Sequence, residues 1–272
     1  MTDLSAEHDA AVTDRAILTG SAYNTGRDLA ARQSLYQWQN PRYDLPGIVV
    51  ERLQETRGTV VDVGCGNGKF IERLRRERPE LRLLGLDVSL GILAGVPRPV
   101  AVADAVQLPL ASNSVEGALA LHMLYHVGDI PTAVRELARV VKPGGVMIAS
   151  TNSTRDKAEL DHLWERSAGD VLGVDKGPAR ISLSARFSLE QASGLLGAAF
   201  DKVEKIELPG TIAVRSPEPV VAHMNSYRAW ADQHAVPFDE TVARAREIVS
   251  EHIERHGAFE IGCLGGMLVC TR

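Results

Sequence analysis

The sequence predicts an α/β protein, a mostly parallel sheet with helices wound on both faces, and three observations predict it. Short apolar runs alternate with helical patterns between residues 59 and 150. Such alternation builds βαβ units, whose strands are buried on both faces and so read as apolar throughout. The first run, Thr59-Val60-Val61-Asp62-Val63, feeds directly into three glycines at alternate positions, Gly64, Gly66 and Gly68. The chain has 272 residues, 44% of them hydrophobic and 24% charged, enough for one large α/β domain with added helices.

The elements follow in order. Residues 23–38 read as an amphipathic helix and 46–53 as a second, and neither is needed to complete a βαβ sheet. The first strand is 59–63; further strands are expected at 81–86, 100–103, 117–121 and 146–150, with helices at 69–78, 89–94 and 130–140 between them. Lys142-Pro143-Gly144-Gly145 reads as a turn, because proline cannot continue a helix and paired glycines take up conformations closed to other residues. Beyond residue 152 the pattern changes to helices at 158–172 and 188–200, the second opened by a Ser188…Gln191 capping box, and then a strand at 202–208. Two helices within 217–256, broken at Ala235-Val236-Pro237, precede a last strand at 266–271.

Composition excludes several function classes. A net charge of −5 leaves no basic stripe for a polyanion, so nucleic acid is not an expected partner. No run approaches the roughly 18 apolar residues of a membrane span, and the start lacks a basic segment followed by an apolar one, so a cytoplasmic protein is expected. Cys65, Cys263 and Cys270 are odd in number and lack paired spacing, which argues against a disulfide scaffold and against zinc.

In an open α/β sheet, ligands bind outside the carboxyl ends of the strands. Gly64, Gly66 and Gly68 sit at such an end and let the backbone turn tightly against a ligand. Their GxGxG spacing is not the GxGxxG dinucleotide fingerprint, and Asp62, just before it, suits an amino acid's ammonium and would repel a diphosphate. The second strand ends at Asp87, placed to accept from a ribose diol, a feature shared by dinucleotide and adenosyl sites. Asp104, at the end of the third, can accept from an adenine amino group or be a simple helix cap.

These segments, together with Gln107-Leu108-Pro109, His122-Met123-Leu124-Tyr125-His126-Val127 and Val141-Lys142-Pro143-Gly144-Gly145, resemble the ordered motifs of class I S-adenosylmethionine-dependent methyltransferases over residues 45–152. The resemblance implies a doubly wound seven-stranded sheet of order 3-2-1-4-5-7-6, its last strand antiparallel, and S-adenosylmethionine as cofactor. It implies cofactor contacts from Asp62, Gly64, Cys65, Gly66, Gly68, Asp87, Val88, Asp104, Ala105, Ala120 and Leu121. The family often meets the cofactor carboxylate with an N-terminal residue; Arg27 and Arg32 are available, and Arg32 is preferred. Residues 1–45 then form a helical lid, 46–152 the cofactor core, and 153–272 the rest of the sheet, with 153–187 and 217–256 as acceptor-binding insertions, the whole forming one compact domain. The whole chain is more loosely similar to actinobacterial natural-product methyltransferases, which implies a small, largely apolar, aromatic or heterocyclic acceptor and a monomer or homodimer.

Methyl transfer from a sulfonium needs mainly alignment of donor and acceptor, and a base only if the nucleophile carries a proton. His122 and His126 share a face if a helical turn forms between them, and Tyr23, expected in the N-terminal helix, and Tyr125 could close over the acceptor or orient a proton. No metal is expected, because Ala120-Leu121-His122 offers no set of oxygen ligands. Two rivals remain: a cofactor-binding protein without catalysis, and a nicotinamide-dependent oxidoreductase.

Overall fold

A strand that is apolar on both faces needs a neighbour on each edge and a cover on each side, and Thr59–Val63 has all of them. The structure is a computed structural model that describes residues 4–234 and 236–272. Its strands are β1 (Gln39–Asn40), β2 (Thr59–Val63), β3 (Arg82–Asp87), β4 (Val100–Val102), β5 (Val115–Leu121), β6 (Val141–Asn152), β7 (Lys202–Val214) and β8 (Phe259–Thr271). They pair in the order β1-β7-β8-β6-β5-β2-β3-β4. Without the two-residue β1, this is the expected order 3-2-1-4-5-7-6, and β8 runs antiparallel to β6 as expected. The count is eight rather than seven because Gln39 and Asn40 pair with Ile212 and Thr211 on the far part of β7.

The chain divides into two compact units. One comprises Tyr43–Thr154, Leu183–Leu208 and Gly265–Arg272. Its core gathers Val60, Val61, Ala118, Leu119, Met147 and Ile148 from the central strands, all buried. The helix Ile130–Val140 lays Ala133, Val134 and Leu137 on this core and starts with Pro131 in its first turn, behind Asp129, which accepts from the Thr132 N–H at 3.0 Å. The other unit comprises the residues up to Arg42, Arg155–Ser182 and Pro209–Leu264. Its core packs Trp164 and Leu160 of the helix Ala158–Leu172 against Phe238, Ala245 and Val249 of the helix Phe238–His256, with Ile212, Val220 and Met224 alongside.

Several local expectations change. The segment 23–38 is not one helix: Arg27–Ser34 is α-helical, Leu35–Trp38 is 3₁₀, and Tyr23 lies outside both, at the end of the π-turn Leu18–Ala22. The capping box does not form; Ser188 precedes the helix Leu189–Gly197 without a side-chain cap bond, and its hydroxyl is buried without a hydrogen-bond partner. Lys142-Pro143-Gly144-Gly145 does not separate helix from strand: the helix ends at Val140 and β6 begins at Val141, taking up the irregularity as a register shift against β5 with Gly144 at φ 77°. β7 runs through Pro209-Gly210 because the two β1 pairings fall beyond the proline, at residues 211 and 212. Of the predicted break at Ala235-Val236-Pro237, Ala235 lies outside the described residues, and a 3₁₀ stretch precedes it in place of an α-helix end. The helix Leu4–Thr13 carried no clear periodicity and was not expected.

Candidate functional site

The turn after β2 is tied to the end of β3. The Gly64 and Cys65 N–H groups both donate to the Leu86 carbonyl, at 2.7 and 2.9 Å, and the Gly66 N–H donates to one carboxylate oxygen of Asp87 at 2.9 Å. The other Asp87 oxygen accepts from the Ser89 N–H at 2.9 Å. Gly64, Gly66 and Gly68 have φ of 69°, 54° and 76°, the left-handed region that a side chain disfavours. Space is closed there too: a Cβ on Gly64 would lie 2.7 Å from the Met123 Cβ, and one on Gly68 2.7 Å from a Val96 methyl. Val88 is half-buried, and Asp87 is pushed above the usual carboxylate range by burial, against the hydrogen bonds from Ser89, Gly66 and Val88.

Asp62, 3% exposed, has no hydrogen-bond partner for either carboxylate oxygen. Burial first, and then the neighbouring Asp87, push its pKa to about 8. A buried carboxyl with both oxygens open is costly unless a cation or donor meets it, so this side chain is arranged for an ammonium or an equivalent group. Cys65 is buried beside it, and its thiol is pushed up by burial and then by Asp62 and Asp87, so it is packing and not a nucleophile. Cys263 and Cys270 are likewise buried and unbridged.

Beyond β4, the Asp104 carboxylate accepts from the Val106 N–H at 3.1 Å, closing a local turn, and its carbonyl accepts from Gln107. Ala105 and Leu108 are buried beside it, and the Leu108 N–H is held at 2.8 Å by Glu136.

At the end of β5, buried Ala120 and Leu121 pair with Ala149 and Ser150 of β6. His122 then enters the left-handed region at φ 53°, with its N–H bound to the Ser150 carbonyl at 3.0 Å. Only Leu124–His126 coils, and as 3₁₀, so the four-residue helical spacing that would put His122 and His126 on one face does not exist. The Tyr125 ring is buried and meets His126 edge-on at 4.6 Å. Arg186 holds this turn by donating to the carbonyls of Tyr125, Val127 and Gly128 at 3.3, 2.6 and 2.9 Å. Arg186, Met123 and Ser150 were not foreseen, since their roles arise from contacts that sequence spacing does not reveal.

Arg32 and Tyr23 belong to the other unit. Arg27 is solvated and pairs with Asp28, whereas Arg32 is buried and lies 5.1 Å from the centre of the Tyr23 ring. Among the described residues no group of three or more His, Cys, Asp or Glu could hold a metal, and no helix is long and apolar enough to cross a membrane.

A glycine turn closed against Leu86 and Asp87, with an open buried carboxyl beneath it, is the binding end of a nucleoside-cofactor fold. Residues 61–149 match a family model described as a methyltransferase domain, and that part of the chain is a class I S-adenosylmethionine-dependent methyltransferase domain. S-adenosylmethionine is accordingly its cofactor, and the donor set fits it. The chain is 34% identical over 125 residues to a malonyl-[acyl-carrier protein] O-methyltransferase of Hahella chejuensis, spanning 43% of this chain and 42% of that one. It is 35% identical over 144 residues to a tRNA (carboxymethyluridine(34)-5-O)-methyltransferase of Arabidopsis thaliana, spanning 48% and 35%. The chain thus spans less than half the length of these two relatives. A crystal structure described as a methyltransferase from an antibiotic biosynthesis pathway of Anabaena variabilis shares the fold, with a TM-score of 0.60 at 16% identity over 84% of this chain and 96% of that one.

Proposed function

We propose that this chain transfers a methyl group from S-adenosylmethionine to a small, largely apolar natural-product acceptor, aromatic or heterocyclic in character. The observation that carries the donor half is Asp62, a buried carboxyl open at both oxygens beside a turn that only glycines can make. Gly64 and Leu121 would offer backbone carbonyls to the cofactor's ammonium, Asp87 would hold its ribose, and Asp104 with Ala105 its adenine. When bound, the cofactor supplies an activated methyl on a sulfonium for in-line displacement, with S-adenosylhomocysteine as the product.

The chain's own part is placement. Asp87 fixes the glycine turn through the Gly66 N–H, and Met123 walls it, so the cofactor surface is built before anything binds. His122, in its strained conformation at the end of β5, and His126 and Tyr125, on the turn that Arg186 clamps, are the groups we assign to proton handling or acceptor orientation. Tyr23, from the unit that holds residues up to Arg42, is assigned to the acceptor, as are the segments 153–187 and 217–256. The reading is tested by turnover with candidate acceptors and by pH-rate profiles of His122→Ala and His126→Ala; unchanged profiles would leave alignment alone as the catalytic device.

A further inference from the structure

We propose that the unit formed by residues up to Arg42, Arg155–Ser182 and Pro209–Leu264 carries its own receptor for the carboxylate of a flat, apolar small molecule, built by Arg32, Arg180 and His223 around Tyr227.

The three side chains converge on one ring. The guanidinium carbons of Arg180 and Arg32 lie 5.0 and 5.7 Å from the Tyr227 ring centre, and the His223 ring lies 5.5 Å from it. All are buried, and each keeps donor or acceptor capacity unused. Arg32 gives one N–H to the Ser226 carbonyl at 2.7 Å, while its other terminal nitrogen has no partner. Arg180 forks onto Asp161 at 2.7 and 2.9 Å and leaves its second terminal nitrogen unpartnered. His223, 3% exposed, has no partner on either ring nitrogen.

Packing alone does not account for this. Arg32 touches the faces of Tyr23, Tyr227 and Trp230, and each such contact is worth about 0.5–2 kcal/mol, against a burial penalty of several kcal/mol for a lone charge. Among the described residues no carboxylate pairs with Arg32, whereas Arg180 has Asp161 and the buried Lys157 has Asp156. Arg32 is therefore the one of these buried cations that lacks a carboxylate, and the balance calls for one negative charge. A carboxylate supplies it, with lone pairs enough for the two open guanidinium nitrogens and one His223 N–H and a planar shape that suits a guanidinium, whereas a phosphate dianion would overshoot. The aromatic faces around Arg32 suit a ligand whose body is flat and apolar.

The test uses the whole native chain, with benzoate and its neutral isostere benzamide as probes followed by isothermal titration. Saturable benzoate binding at least about tenfold tighter than benzamide, and weakened by about tenfold or more in Arg32→Gln, is the expected result. Equal binding of the two probes, no benzoate binding, or benzoate binding untouched by Arg32→Gln would overturn the proposal. The contrast on the native chain needs no variant to fold; in Arg32→Met, an unchanged or raised Tm is expected, since an unneutralised buried charge is removed, and a Tm lowered by many degrees would assign Arg32 to structure and count against the receptor. S-adenosylhomocysteine is titrated into the same sample. A chain that binds it but not benzoate overturns only the receptor, and benzoate displaced by it would assign these cations to the carboxylate of S-adenosylhomocysteine and overturn a separate receptor.

Discussion

Asp62 holds its proton in the free protein at neutral pH, because its pKa is about 8. The sign of the consequence follows from linkage: an unfolded aspartate titrates near 3.8, so between that value and about 8 the folded state keeps a proton that the unfolded state has lost. This group's stabilisation is complete below the lower value and is lost as pH rises through the upper one. Thermal unfolding of Asp62→Asn is expected to show a flatter loss of stability over that window than the native chain. The cofactor's ammonium favours the ionised carboxylate, so S-adenosylhomocysteine affinity should rise from about pH 6 to about pH 8 in the native chain and not in the variant. Gly64→Ala meets both a φ of 69° and the Met123 Cβ, and is expected to cost about 1–3 kcal/mol in urea unfolding. Gly95→Ala, with nothing within 4 Å and no positive φ, should stay within about 0.5 kcal/mol.

The turn from His122 to Gly128 depends on a residue distant in sequence. Removing the Arg186 guanidinium leaves the carbonyls of Tyr125, Val127 and Gly128 without that donor, so Arg186→Met is expected to cost about 1–3 kcal/mol and to speed amide exchange over 122–128. Arg186→Lys should rescue little, because an ammonium cannot fork across three carbonyls. At this scale the sequence was read well where periodicity is strong and local: β2 and the helices Ile130–Val140 and Ala158–Leu172 fall on their expected residues. It was read poorly where local competition decides. Ser188 leaves its cap bond unmade, the 23–38 helix tightens into 3₁₀ at Leu35, and β7 and β8 extend because pairing overrides the turn signals of Pro209-Gly210 and 262–266. In the candidate site, the strand-end placement of Asp62, Asp87 and the three glycines was legible because it is local in sequence. Arg186 and Met123 were not, since what they do depends on partners about sixty residues away, at Val127 and Gly64.

Across the molecule, the unit built from Tyr43–Thr154, Leu183–Leu208 and Gly265–Arg272 holds every expected cofactor residue except Arg32. A ligand that binds only the folded state stabilises it by mass action, about 2.7 kcal/mol at a hundredfold excess over Kd, so S-adenosylhomocysteine should raise Tm by several degrees. Gly64→Ala should reduce this shift because it fills the ligand-facing turn, whereas Gly95→Ala should not.

Isothermal titration of S-adenosylhomocysteine and, separately, NAD into the full chain tests the donor assignment most directly. The account predicts about micromolar binding of S-adenosylhomocysteine, weakened by about tenfold or more in Asp87→Ala, and no comparable binding of NAD. Absence of S-adenosylhomocysteine binding, indifference to Asp87→Ala, or tighter binding of NAD would contradict it.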